Sequence, residues 1–336
     1  MHKQIYVKGI NGDLPKKSLE ADKLKKEIID IIGTEKIFED YYGNKGQYFE
    51  HVNFTSKRIL SEKDSLIGLM IESARKTVEK SMLKTQEIDV ILCAYGGTPM
   101  FSGWLYSAII ANELGVNNVR TRDFSGSCAS VFFAIEYAML LLKKTNIRHV
   151  LIVAGDNLSN YLTKYNISKY KNIPTYGDGV GSFILSLDGV NSSFQLTKLE
   201  IMQNTKFANL FVSERFKETS DRFEKEINSV ACSSNMKAFV TEDPQNVCKI
   251  ADKLVEKTDD THDLIIITGN TASSRLKLLK ESYQIFDTYN KFGHVGTADV
   301  ILNLHMYNVD KAYPRKIIVI GWGVGYVWGG FSLLRL

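Results

Sequence analysis

Proline is scarce in this 336-residue chain, five in all, and no proline-, serine- or glycine-rich stretch marks a linker or low-complexity tract. Cysteine is scarce as well. Cys93, Cys128, Cys232 and Cys248 stand apart, with no Cys-x-x-Cys spacing that would announce a metal site or a disulfide framework. An excess of one charge is nearly missing: 42 basic and 38 acidic residues leave +4, spread through mixed segments such as LEADKLKKEI and ERFKETSDRFEKE. That balance argues against a nucleic-acid partner. Long apolar runs are also missing, for AMLLL and KIIVIGW fall far short of the ~20 residues that cross a bilayer, so no membrane span is expected. The opening MHKQIYVKGINGD has no apolar core of the secretory-leader kind, and the expected compartment is the cytosol, with free thiols.

What is present is an ordinary globular composition, 44% hydrophobic and 24% charged, on a length that suits two packed halves or one large α/β domain. Short, nearly continuous apolar runs alternate with helical patterns, as a sheet covered on both faces requires. The runs predict strands at 5–10, 89–95, 149–156, 181–187, 263–268, 316–322 and 329–336. The periodicity predicts helices near 64–82, 102–115, 128–144, 244–257, 273–282 and 295–306. DVILCAYGG beside DLIIITGN, HVLIVAGD beside KIIVIGWG, and GSFILSL beside GFSLLRL repeat one order of elements, either as an internal duplication or as the chance likeness of apolar strands. The polar segment 200–247 reads as a surface excursion, covering an entrance or simply connecting the halves.

Cys128 is the best candidate for chemistry. The small-residue turn SGSCAS opens a helix that is apolar nearly all round, so its N-terminus should point into the protein. Unsatisfied N–H groups and the positive end of the helix dipole favour a thiolate there, as an acyl-accepting nucleophile requires. A free cysteine also serves as a small apolar filler, the role expected of Cys93, Cys232 and Cys248.

DFSGSCASVFFAIEYA resembles the nucleophile motif of ketoacyl-ACP synthase III, within the thiolase fold group. YGDGVGSFILSL (176–187) is similar to that family's Gly-Asp-Gly hairpin, FGHVGTADVILNL (292–304) to its Gly-Asn motif, and GWGVGYVWGGFSLLRL (321–336) to its final glycine-rich hairpin. The resemblance implies an α/β thiolase-like fold of two βαβαβαββ halves in α-β-α-β-α layers. The first half, 1–190, would carry Cys128. The second, 191–336, would carry Asn270, His294 and the final hairpin. It also implies a homodimer, an acyl group taken onto Cys128 from an acyl carrier protein's phosphopantetheine or coenzyme A, and no permanently bound cofactor. Backbone N–H groups of Cys128 and Gly323 would form the oxyanion hole.

The departures from the family are informative. GNTASSRL puts Asn270 where the family has its histidine, and FGHVG puts His294 where it has an asparagine, so the pair is exchanged. His294 would move a proton and Asn270 would donate a hydrogen bond near Cys128, although a histidine before a helix also serves as a cap or packed residue. Five helical residues turn through roughly 500°, so Asp299 should face away from His294 and be structural. Asp178 in YGDGVG is read as turn chemistry. The second cysteine of thiolases has no counterpart in GWGVG, which leaves decarboxylative condensation to a β-ketoacyl product, or transfer to an oxygen, nitrogen or sulfur nucleophile. A non-catalytic partner of an active paralogue is the reading from a different class. Arg275, with Lys277 and Lys280, matches the family's carrier-docking helix, and Phe101 matches the residue that closes the partner subunit's acyl pocket. The family's coenzyme A clamp has no counterpart in FEDYYGNKGQYFEHVNF, which favours a carrier protein as donor.

Overall fold

The structure is a computed structural model that describes residues 3–97, 104–169, 172–207, 236–256, 263–271, 273–309, 314–323 and 326–336. Its strands are β1 (Ile5–Asp13), β2 (Lys17–Glu20), β3 (Ser56–Ile59), β4 (Val90–Tyr95), β5 (Arg120–Ser125) and β6 (His149–Asn157). They continue with β7 (Asp178–Ser186), β8 (Phe194–Gln203), β9 (Leu264–Thr268), β10 (Ile285–Phe286), β11 (Lys316–Gly323) and β12 (Val327–Arg335). Strands β2 and β3 pair alone, and the rest form one sheet in the order β10-β9-β11-β12-β8-β1-β7-β6-β4-β5. Read outward from the β1–β8 pair, its two arms follow one rule. Two antiparallel steps (β1–β7–β6; β8–β12–β11) precede two parallel ones (β6–β4–β5; β11–β9–β10). Among the described residues, only Ile5 to Val7 and Phe194 to Leu196 join the arms in register.

Alternation along the strands builds the layers. In β4, Val90, Leu92 and Ala94 join a core with helices Ser130–Lys144 and Asp299–Val309. Ile91, Cys93 and Tyr95 face the other way, onto helices Leu66–Ser81 and Tyr106–Glu113. In the second arm, Ile265, Ile267, Ile317 and Val319 line the same central core, while Leu264, Ile266, Ile318 and Ile320 pack on helix Met236–Leu254. Both faces of β4, β9 and β11 are therefore largely dry, which is why these strands read as unbroken apolar runs. The central helices touch both arms: the Phe132 ring packs on Phe331 of β12, and Ile301 fills the space that a side chain at Gly181 of β7 would need. The result is the α-β-α-β-α layering of a thiolase-like fold.

Some expectations change. Strand β5, RTRDFS, is polar and half-exposed because it lies at the sheet's edge, so no apolar run announces it. Strand β8, the short β2–β3 pair, the two-residue β10 and helices Ala21–Ile32, Glu35–Tyr42 and Gln47–His51 likewise have no counterpart among the predicted elements. The excursion expected at 200–247 is shorter: its first residues complete β8, and its last belong to helix Met236–Leu254, which carries Pro244 within it. A proline reads as a helix start, hence the later predicted boundary. Residues 208–235, including Cys232, lie outside the described residues. The helix expected at 273–282 is a 3-10 turn, Ser273–Leu276, followed by one turn at Lys277–Lys280. Asp178 is not in a turn; it begins β7, fully buried, and accepts from the Leu60 and Ser159 N–H groups and the Ser159 hydroxyl.

Candidate active site

The parallel strands deliver their carboxyl ends to one place, the usual location for a site in such sheets. β5 ends at Ser125, three residues before Cys128; β6 reaches Asp156; β9 ends two residues before Asn270; β11 ends at Gly323.

The helix proper begins at Ser130, so Cys128 stands in the turn before the helix, just ahead of the N-cap Ala129, rather than on the first turn. Two serines build that turn. Ser127 N–H donates to Ser130 Oγ, the Ser130 hydroxyl donates back to Ser127 O at 2.7 Å, and Ala129 N–H donates to Ser127 Oγ at 3.2 Å. These bonds satisfy groups at a helix start that would otherwise be orphaned, and they fix the turn that presents Cys128. Gly323 lies directly against it. A Cβ there would lie 2.6 Å from Ser127 Oγ and 2.7 Å from Ala129 N, so only glycine lets β11 come this close.

His294 closes on the sulfur from the opposite arm. Its Nε2 lies 3.1 Å from Cys128 Sγ, and its Nδ1 lies 2.5 Å from Asp299 Oδ2. Asp299 is 3% exposed and fully engaged, accepting also from Val295 N–H at 2.8 Å and Asn270 N–H at 3.0 Å. The Asp299 carboxylate therefore fixes the proton on Nδ1 and leaves Nε2 for the thiol. The expected separation of His294 and Asp299 by a helical rotation does not hold, because His294 is not on the helix. Gly293 and Gly296 both take φ +70°, a 3-10 turn spans Gly296–Ala298, and the α-helix begins only at Asp299. Burial works against an imidazolium here, but the charges of Asp299 and Cys128 and their hydrogen bonds outweigh it, so His294 holds its proton well above the ordinary imidazole range. The Tyr176 ring stands edge-on to His294, centroids 5.0 Å apart, and His294 N–H and C=O are tied to Thr175 O and Gly177 N–H.

The Asn270 amide is not turned to Cys128. Its Nδ2 donates to Gly293 O at 2.7 Å and Thr288 Oγ1 at 3.2 Å, while Oδ1 accepts from Thr288 N–H and Asn303 Nδ2. At 3% exposure an asparagine must find partners for all these sites, and the segment leading to His294 supplies them. Asn270 thus braces the histidine's loop from behind.

Sequence reasoning missed Asp156, whose carboxylate accepts four donors from two separate segments, and the tyrosines Tyr161 and Tyr176. A lone aspartate ending a strand gives no motif; its partners come from 59 to 141 residues away. Beside Asp156, Gly97 and Tyr161 opens a cavity of about 280 Å³, walled by Leu66, Tyr106 and Leu158. Among the described residues no cluster of His, Cys, Asp and Glu is arranged to hold a metal.

Farther out, Arg275 is half-buried and already paired. Its Nε lies 2.5 Å from Asp243, which is almost fully buried and also accepts from Trp328 Nε1, and its guanidinium lies over the Trp322 ring. Lys277 and Lys280 are exposed on the turn that follows. Phe101 lies outside the described residues. No described helix is long and apolar enough to cross a membrane.

Comparison with known proteins bears on the family and the fold. The family model of 3-oxoacyl-(acyl-carrier-protein) synthase III matches residues 122–204, from β5 through β8. The beta-ketoacyl-(acyl-carrier-protein) synthase III of Campylobacter jejuni is 24% identical over 287 residues, covering 82% of this chain and 85% of that protein. The crystal structure of 3-oxoacyl-(acyl-carrier-protein) synthase III from Aquifex aeolicus VF5 superposes with a TM-score of 0.77 at 16% identity, covering 98% of this chain and all of that one. A cysteine-to-serine variant of Xanthomonas campestris OleA, solved with bound lauric acid and lauroyl-CoA, gives a TM-score of 0.78 at 12% identity over 99% of this chain and 100% of its own.

Proposed function

The chain is ketoacyl-ACP synthase III-like, with the thiolase fold, and from that premise we propose that it is a thioester-dependent acyltransferase working through a Cys128–His294–Asp299 triad. Its two arms are read as halves 1–190 and 191–336. The acyl group arrives as a thioester of an acyl carrier protein or coenzyme A. His294 Nε2 takes the Cys128 proton, and the sulfur attacks the thioester carbonyl. The backbone N–H groups of Cys128 and Gly323 bind the resulting oxyanion. Collapse expels the carrier's thiolate, which leaves with the proton from His294.

The observation that carries the next step is the histidine held between thiol and carboxylate while the Asn270 amide is spent on the Gly293 loop. The family's condensation relies on a histidine and an asparagine converging on the cysteine. Here one proton-moving group remains, supported as a general base. The reading it favours is attack on acyl-Cys128 by an oxygen, nitrogen or sulfur nucleophile that loses its proton to His294, with Cys128 regaining one as the ester, amide or thioester departs. Decarboxylative condensation is the second reading, supported by the names of the curated relatives. Carrier docking falls to Lys277 and Lys280, since Arg275 is already paired. A homodimer is part of this reading.

The test is loading. Incubated with a panel of acyl-carrier-protein and acyl-coenzyme A thioesters, the protein gains an acyl mass that the folded Cys128→Ala variant does not; continued loading of that variant refutes the assignment. Malonyl carrier protein then separates the chemistries, because only condensation releases carbon dioxide.

A further inference from the structure

Cys128 and His294 are carried by different arms of the sheet, and the single 3.1 Å contact between them does not by itself fix their separation. A second set of hydrogen bonds does. Asp156, at the end of β6 and 2% exposed, accepts from Gly96 N–H at 2.7 Å and Gly97 N–H at 3.3 Å through Oδ1. Through Oδ2 it accepts from the N–H and the hydroxyl of Thr297, both at 2.7 Å. Gly96 is packed against the nucleophile's turn: a Cβ on it would lie 3.4 Å from Cys128 N and from Ser127 C. Thr297 lies three residues beyond His294 and two before Asp299. Gly296 between them takes φ +70°, and a Cβ there would lie 2.1 Å from Asp156 Oδ2, so the close approach is possible only for glycine.

We propose that Asp156 is a positioning residue, an acceptor-only clamp that holds the Gly96–Gly97 corner behind Cys128 at a set distance from the Gly296–Thr297 turn that carries His294. The proposal rests on Cys128 being the nucleophile. Four converging donors suit a carboxylate and no other side chain, since asparagine has one acceptor oxygen and brings two further hydrogens. Release of the clamp frees the arms to shift, and displacement by about 1 Å in such a constellation lowers rates on the order of 100-fold.

The experiment reads the thiol directly, by the pH dependence of Cys128 alkylation with iodoacetamide, followed by intact-protein mass spectrometry with Cys128→Ala as baseline. Asp156→Asn is expected to slow alkylation by about 10-fold or more and to displace the pH profile. Thr297→Val, which removes one of four donors and leaves the backbone intact, moves both quantities in the same direction by less, and Thr297→Ser restores them. Near-UV circular dichroism establishes that each variant is folded; should Asp156→Asn fail that check, Thr297→Val decides. A folded variant with the parent rate and profile overturns the clamp, as does a lowered melting temperature with an unmoved profile. Failure of the parent protein to load acyl groups would instead overturn the acyltransferase reading and leave the profile shift standing.

Discussion

Asp299→Asn removes one charge and exchanges one oxygen for an amide, with no change of shape, and its consequences follow from three contacts. Oδ2 accepts from His294 Nδ1 and Asn270 N–H, and Oδ1 accepts from Val295 N–H. If the amide oxygen keeps the Oδ2 position, its NH₂ faces the Val295 N–H, donor against donor. If it turns over, the NH₂ faces His294 Nδ1, drives the ring proton to Nε2, and points that proton at Cys128, where a base is needed. Either way a charge-assisted hydrogen bond is lost, worth about 1.5–3 kcal/mol. At about 1.4 kcal/mol per factor of ten, acyl transfer slows by about 10- to 150-fold. The sign of the pH effect is also determined. Burial already opposes the imidazolium of His294 and Asp299 is foremost among the groups that overcome it, so removing the carboxylate's charge lowers the pKa of His294. Any limb of the pH–rate profile that reports loss of the His294 proton therefore moves to lower pH. Single-turnover acyl transfer, measured across pH by mass spectrometry, is the assay. A rate within twofold of the parent and an unmoved profile would refute the relay.

Two further substitutions test the frame around the site. Lys57 is fully buried, its Nζ has no hydrogen-bond partner among the described residues, and desolvation depresses its pKa to about 8 from 10.5, against the pull of Asp178 and Glu27. The unfolded chain then binds more protons between those values, so stability rises with pH across that window. Lys57→Met should stabilise the protein near pH 7 by up to about 3 kcal/mol in urea unfolding, with the gain vanishing as pH approaches the unfolded value; an equal gain at both ends contradicts the assignment. Gly323→Ala places a methyl 2.6 Å from Ser127 Oγ. It should cost about 1–3 kcal/mol in thermal unfolding and depress acyl loading further than that loss of stability explains; unchanged melting and loading would show that β11 does not press on the nucleophile's turn.

Much of this protein is written locally. Runs such as VILCAY and LIIIT are strands in any context with both faces covered, and alternate residues find opposite layers without further instruction. The turn SGSCAS carries its own cap chemistry in Ser127 and Ser130, so Cys128 stands out as a presented thiol before any neighbour is known. His294 is marked by FGHVG. Edge strand β5 and the half-exposed β8 are hidden because their polar side chains meet solvent and break the apolar pattern that marks the other strands.

What the sequence could not supply is every relation that crosses from one arm to the other. The role of Asp299 depends on two glycines at positive φ and a 3-10 turn that keep His294 off the helix; a wheel drawn through both residues assumes a regularity the backbone does not have. Asn270 stands where the family resemblance suggests a reacting group, yet its amide answers the demands of burial, bonding Gly293 and Thr288. Asp156 meets Thr297 across 141 residues, a contact that no local pattern encodes. Residue types and spacing determine which groups are available and which elements carry them. Only packing the two arms on their shared helices decides which groups meet, because hydrogen bonds are directional to within fractions of an ångström and chain proximity is not.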